Sequence, residues 1–176
     1  MKVIAIAAVT AGGKTTVVHE LKRRLPRAAA LHFDDYSFDG EVEDYYQWVL
    51  DGANYNVWDL TPLEKDIQSI RNNGLYEYLL LDYPFAYQHS LIKDDIDCAI
   101  FIDTPLDIAM ARRVLRDDRD ATAEKICNDM EMYLQYSRAA YVQMLKDILP
   151  SSDYVIDGTK SLDAIVDEII SIITED

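Results

Sequence analysis

The sequence predicts an α/β fold built on a five-stranded parallel sheet flanked by helices. Three features carry this expectation. Short, continuously apolar runs of strand length recur along the chain, as strands buried on both faces require. Segments of helical period separate them, so that strand and helix alternate. The first apolar run enters the first helix through Ala8-Val9-Thr10-Ala11-Gly12-Gly13-Lys14-Thr15-Thr16, a glycine-containing turn with the Lys-Thr ending of a phosphate-binding loop.

Residues 3–7 form the first strand, and Val17, Val18, Leu21 and Leu25 share one face of a helix closed by Pro26. A turn poor in side chains lets several backbone N–H groups point at one anion, and the helix N-terminus adds partial positive charge. Lys14 then reaches the β and γ phosphates, Thr15 offers its hydroxyl to magnesium, and Ala11, Gly12, Gly13 and Thr16 complete the cradle. Ala8 stands where the pattern G-x-x-x-x-G-K-[ST] has its first glycine. A methyl fits at that strand end if φ is negative.

Residues 28–33 give a second strand that ends at Asp34-Asp35-Tyr36. Ligand groups gather beyond the carboxyl ends of parallel strands. Two adjacent carboxylates there can serve proton acceptance and metal hydration. Tyr36 is placed with them on the acceptor side. Residues 37–61 read as an acidic, aromatic insert with a short helix over 45–50, a binding loop whose rings can stack on a planar group. A helix opens at Thr61 as cap with Pro62 in its first turn, and Gly74 follows its end.

The third strand, 78–82, ends in Asp82, which would supply the second metal carboxylate. His32 and His89 show no partner pattern. The fourth strand, 96–103, precedes Thr104 and Pro105, which cap and start a helix running into Arg112-Arg113-Val114-Leu115-Arg116. Arginine forks suit phosphate oxygens, so this cluster reads as a mobile lid over about 112–121. A long helical stretch over 121–149 carries Ile126, Met130, Tyr133, Leu134 and Tyr141 near helical period, with Arg138 as a candidate to face the site. The fifth strand spans 153–157. Ser161 caps a last helix with Leu162, Ile165, Val166, Ile169, Ile170 and Ile173 buried.

At 176 residues the chain is expected to be a single domain, 1–176. The net charge of −15 argues against nucleic acid, whose backbone needs a basic footprint. No apolar run reaches bilayer length, so no membrane span is expected. The start leads directly into the phosphate loop, which a cleaved leader would destroy, so a cytoplasmic location is expected. Cys98 and Cys127 are too few for a disulfide framework or zinc site. A homo-oligomer stays open.

Taken together, these segments resemble the small-molecule kinases of the uridine kinase and nicotinamide riboside kinase group, with a P-loop NTPase fold of nucleoside and nucleotide kinase type. Residues 9–16 are similar to the riboside kinases' phosphate loop. Phe33-Asp34-Asp35-Tyr36 is similar to their Gln-Asp-Asp-Phe segment, whose first aspartate is the general base, a role the resemblance assigns to Asp34. Trp58-Asp59 with Pro62 resembles the uridine kinase segment whose aspartate binds ribose hydroxyls. Residues 112–117 are close to the uridine kinase lid, and 157–161, with Gly158 and Thr159, resemble the turn bordering the adenine. Asp82-Tyr83-Pro84 replaces an acid-glycine pair.

The resemblance implies ATP as phosphoryl donor and Mg2+ held by Thr15, Asp34 and Asp82. It implies a nucleoside-like hydroxyl acceptor, reached at its ribose 5′-OH. Asp34, Lys14, Arg113 and Arg116 would be the catalytic groups. Arg112 joins the nucleotide side, and Tyr36, Asp59 and Arg138 the acceptor side. A kinase for another small hydroxyl metabolite, or an ATP-binding regulator without an acceptor, are the alternative readings.

Overall fold

The computed structural model describes residues 1–174. Five strands, β1 (Lys2–Ala8), β2 (Ala28–His32), β3 (Tyr78–Asp82), β4 (Cys98–Asp103) and β5 (Tyr154–Asp157), form one sheet. All pairings are parallel, in the order β2-β3-β1-β4-β5. β1 is therefore central, and the chain crosses to opposite sides of it. In parallel sheets that is where ligands collect, beyond the strands' carboxyl ends.

β1 shows why the register is fixed. Val3, Ala5 and Ala7 point into one core and Ile4, Ile6 and Ala8 into the other, all but completely buried. A slip of one residue would exchange the two sets. Both faces are buried, so the cost of a slip is misfit: Ile side chains forced into space shaped for Ala5 and Ala7 overpack that core, typically by about 1–3 kcal/mol, and leave voids in the other. On the Ile4–Ile6 face lie α1 (Lys14–Arg24) and α7 (Leu162–Thr174), which touch each other and bury Val17, Val18, Leu21, Ile165, Val166 and Ile169. The opposite face is covered by α3 (Thr61–Asn73), α4 (Leu106–Asp117), α6 (Arg138–Asp147) and the aromatic insert, which contains α2 (Tyr45–Leu50).

Several local expectations are corrected. Thr61 is not the cap of α3 but its first residue; the Asp59 carboxylate accepts from the Thr61 amide at 3.0 Å. Thr104 does not cap α4, whose preceding residue is Pro105. Its hydroxyl is used elsewhere, as described below. The stretch expected to be one helix over 121–149 is α5 (Ala123–Met132), a π turn over Tyr133–Ser137, then α6. A π turn advances the helical phase by one residue. Tyr133 and Tyr141 therefore both reach the core, whereas Leu134, expected inside, is 70% exposed. Leu162 also leaves the expected core, for a position treated below.

Candidate active site

The phosphate loop is shaped by its backbone. Ala11 has φ 60° and Gly13 φ 103°, and the Gly12 N–H donates to Val9 O at 2.8 Å. Left-handed residues among right-handed ones turn successive N–H groups into one concavity, an anion-binding nest. A Cβ on Gly12 would lie 2.8 Å from Val9 O and 2.9 Å from the Ala8 methyl, so no side chain fits there. This explains the missing first glycine. Ala8 keeps ordinary strand backbone, and its methyl lies against a residue that has none.

Thr104 fixes the loop from behind. Its hydroxyl, buried, donates to Gly12 O at 2.8 Å. That bond turns the Gly12 carbonyl toward the protein, away from an incoming anion. Gly158 packs directly on the same residue: a Cβ there would come within 2.0 Å of Thr104 Oγ1 and 2.9 Å of its Cα. The turn after β5 and the phosphate loop thus share one support. A Thr-Pro pair before a helix reads as capping chemistry, and only the approach of residues 92 positions apart in sequence reveals the other use.

Lys14 is ion-paired with Asp82 Oδ1. Asp82, 2% exposed, also binds the His32 Nδ1 at 2.9 Å. Burial raises the Asp82 carboxyl, but the Lys14 charge and the hydrogen bonds from Lys14, His32 and Thr15 outweigh it, and the net shift is downward. His32, without a partner pattern in the sequence, is brought to Asp82 because the two are register neighbours across β2 and β3. His89 also has partners. The Leu91 N–H donates to its Nδ1, so Nε2 carries the proton and donates to Trp58 O at 2.9 Å. That places His89 as a buried strut.

A cleft of about 700 Å³ opens over the loop. Asp34 lines it together with Ala11, Gly12, Gly13, Lys14, Thr15 and Thr16, which is the juxtaposition the sequence motifs lead one to expect. Arg112, Arg113 and Arg116, from the last turns of α4, line it too. Arg113 Nη1 donates to the Tyr141 hydroxyl at 3.0 Å, and Arg116 lies bidentate on Asp117 at 2.6 and 3.0 Å. The Asp117 hydrogen bond raises Arg116 further, and the charge of Asp34 is near enough to add to it. The expected lid is helical as far as Asp117, and beyond it Lys125 pairs with both Asp118 and Asp129.

The sheet order divides the cleft. On the β4–β5 side lie Gly158, Lys160, Leu162 and Ile165. Leu162 is 36% exposed because it faces this opening rather than the core. Thr159 does not line the cleft; its hydroxyl and amide bind Asp157. On the β2–β3 side lie Phe33, Asp34, Tyr45, Trp58, Pro84 and Phe85, roofed by residues of α6.

Three residues expected on the acceptor side stand outside the cleft lining. Tyr36 donates to Asp66 Oδ2 at 2.7 Å and stacks on Phe38. Asp59 is committed to Thr61, whose hydroxyl and amide hold its carboxyl below the usual range. Arg138 is exposed, although its neighbours Ser137, Ala140 and Tyr141 line the cleft; the π turn sets that phase. Asp82 lies beneath the cleft floor rather than on it. Sequence reasoning missed Phe85, Tyr141 and Met144. Phe85 had a signal in its position just past the end of β3, whereas the α6 residues had none.

The donor set suits a hard cation. Thr15 and the carboxylate of Asp82 offer oxygens in mutual contact beside the phosphate loop. Among the described residues no group of three His, Cys, Asp or Glu side chains is able to hold a metal unaided. Magnesium, which keeps waters and shares phosphate oxygens, fits such a sparse set; zinc does not.

No family model matches the chain. Among curated proteins, the uridine kinase of Borrelia hermsii is 27% identical, the match covering 89% of this chain and 86% of that protein. The uridine kinase of Staphylococcus haemolyticus is 24% identical, covering 88% and 86%. The chain is similar to these uridine kinases over most of its length. Two solved structures share the fold, each with a TM-score of 0.57. One is the deoxyadenosine kinase of M. mycoides with bound dCMP, 14% identical over 99% of this chain and 100% of that one. The other is a sugar kinase from Janibacter sp. HTCC2649, 12% identical over 97% and 93%. The architecture is thus that of the P-loop nucleoside and sugar kinases. No helix among the described residues is long and apolar enough to cross a membrane.

Proposed function

We propose that this phosphotransferase moves the γ-phosphoryl group of ATP to a hydroxyl of a small, nucleoside-like molecule. The observation that carries the reading is the single cleft shared by the phosphate loop, three arginines and Asp34. The uridine kinase relatives support the same reaction class.

In the proposed reaction the amides of residues 11–16 and the Lys14 ammonium hold the β and γ phosphates. Lys14 then exchanges its pairing with Asp82 for phosphate oxygens. Asp34, at the cleft wall, accepts the proton of the acceptor hydroxyl as that oxygen bonds to the γ-phosphorus. The bond from that phosphorus to the β–γ bridging oxygen breaks, and ADP leaves. Arg113 and Arg116 turn from Tyr141 and Asp117 to stabilise the equatorial oxygens, with Arg112 beside the loop at Gly13. Thr15, with Asp82 and Asp34 acting through water, would hold magnesium, which when bound neutralises charge on the phosphates. Gly158, Lys160 and Leu162 would border the adenine. Closure of the arginines over the cleft excludes water, which otherwise competes with the acceptor.

ADP release in the presence of ATP and Mg2+ tests this, screened over nucleosides, nicotinamide riboside and other hydroxyl metabolites. Release that depends on one class of acceptor is expected. Slow release that no acceptor accelerates would instead indicate a nucleotide-binding regulator.

A further inference from the structure

The acceptor half of the cleft has a distinctive chemistry. Its walls are Phe33, Tyr45, Trp58 and Phe85, with Met144 from the roof. The rings brace one another: Trp58 and Phe85 have centroids 4.8 Å apart, Phe33 and Phe85 5.2 Å. Among the described residues Asp34 is the only carboxylate lining the cleft, and no Asn, Gln or His side chain lines it. The other polar atoms that the wall residues bring are single donors or acceptors, the Ser137, Tyr45 and Tyr141 hydroxyls and the Trp58 indole N–H, none of them a carboxylate or amide fork. Arg116 is forked on Asp117. Asp59, the residue the uridine kinase resemblance would place on sugar hydroxyls, stands outside and is committed to Thr61.

A vicinal diol is selected by a carboxylate or amide that pairs with both hydroxyls. A base edge is selected by donors and acceptors set in its plane. This wall has stacking surfaces, isolated hydroxyls and one carboxylate, and our proposed reaction needs that carboxylate at the reacting hydroxyl. Resting on that reading, we infer that the acceptor is a primary alcohol carried on a flat aromatic body, selected by stacking, with no requirement for a neighbouring diol. A site that hydrogen-bonds a hydroxyl rejects the analogue lacking it by about 10⁴-fold or more, whereas an apolar wall separates such pairs by about 10²-fold at most. Aromatic stacking supplies the affinity instead.

The test compares uridine, 2′-deoxyuridine and 2′,3′-dideoxyuridine, all bearing the reacting 5′-OH, with D-ribose and 5′-deoxyuridine. Acceptor-dependent ADP release and quenching of tryptophan fluorescence are both read. The expected result is a kcat/KM within about tenfold across the three nucleosides, and a loss of about 10²-fold or more for D-ribose. The 5′-deoxy compound should quench fluorescence without turning over. Trp58→Leu should raise acceptor KM about tenfold with little change in nucleotide KM. Trp58 is also buried, so Tyr45→Ala, which removes an exposed ring, is the second variant, with the same KM pattern expected.

A fall of about 10⁴-fold on removing the diol, or equal use of D-ribose, would overturn the inference and leave the kinase reading standing. Equal quenching by the three nucleosides, with no turnover of them or of any acceptor in the wider screen, would overturn the kinase reading and the acceptor role with it. Neither quenching nor turnover by the nucleosides, with turnover of a non-aromatic alcohol in the wider screen, would overturn the inference and leave the kinase reading standing.

Discussion

The two ends of the cleft are built by different means. The phosphate end is backbone: Ala11 and Gly13 at positive φ, Gly12 with no room for a Cβ, and a carbonyl held by Thr104. The acceptor end is side chain: Phe33 after β2, Phe85 after β3, Tyr45 and Trp58 from the insert, Tyr141 and Met144 from α6. A backbone device occupies one short stretch, and few residues can substitute within it. A side-chain wall is assembled from distant segments, and many rings fill it equally well.

The largest expected effect strikes the backbone end. Lys14→Ala should lower kcat/KM for ATP by ~10³-fold, since it removes the charge that the nest cannot supply. Steady-state kinetics with nucleotide binding by calorimetry would check it, and near-normal kinetics would separate this loop from other phosphate loops.

Next is the support behind the loop. Thr104→Val keeps the shape but leaves the buried Gly12 carbonyl unpaired, at a cost of about 1–3 kcal/mol. If the loop bears that cost in its nucleotide-binding form, the KM for ATP rises about tenfold. Thr104→Ser should restore it. A fall in melting temperature shared by both variants with no change in KM would make Thr104 a packing residue only.

A smaller effect concerns acid stability. The Asp82 carboxyl lies below its ordinary value of 3.8 in the folded protein. The unfolded chain therefore binds a proton first as pH falls. Stability from the Lys14, His32 and Thr15 pairings is complete well above pH 3.8 and is lost as pH drops through the folded value. Asp82→Asn should lower Tm by several degrees at pH 7, about 2–4 °C for each kcal/mol lost, and by less near pH 3.5. Parallel Tm–pH curves for the two proteins would contradict this.

The smallest effect is expected where the resemblance and the coordinates part. Asp59→Ala should change acceptor kcat/KM less than about threefold, because that carboxylate serves α3 rather than the cleft. A loss beyond 10²-fold would bring Asp59 into the acceptor wall and make the two ends more alike.

These differences also explain what the sequence disclosed. The alternation of β1, the ends of the strands and the Lys14-Thr15 loop follow from local pattern, and the structure places them as the pattern requires. The short helix expected at 45–50 is present as α2, with the Asp44 side chain accepting from the Gln47 N–H at its start. Tyr36 is expected on the acceptor side from its place beside Asp34, and Asp59 from the uridine kinase resemblance, but each has a nearer partner, Asp66 and Thr61. Period counting assumes an unbroken helix, whereas Leu134 lies within the π turn at Tyr133–Ser137 and Arg138 begins the helix whose phase that turn resets. Thr104 reads as a cap because its bond to Gly12 joins residues 92 positions apart, beyond the reach of local pattern.

The pairing of the phosphate loop with Asp34 is tested most directly by Asp34→Asn, assayed for acceptor-dependent ADP release and, separately, for nucleotide binding. The account predicts a loss of turnover of ~10²-fold or more, the scale of a missing general base, with ATP bound as before. Turnover equal to that of the unaltered protein would contradict it.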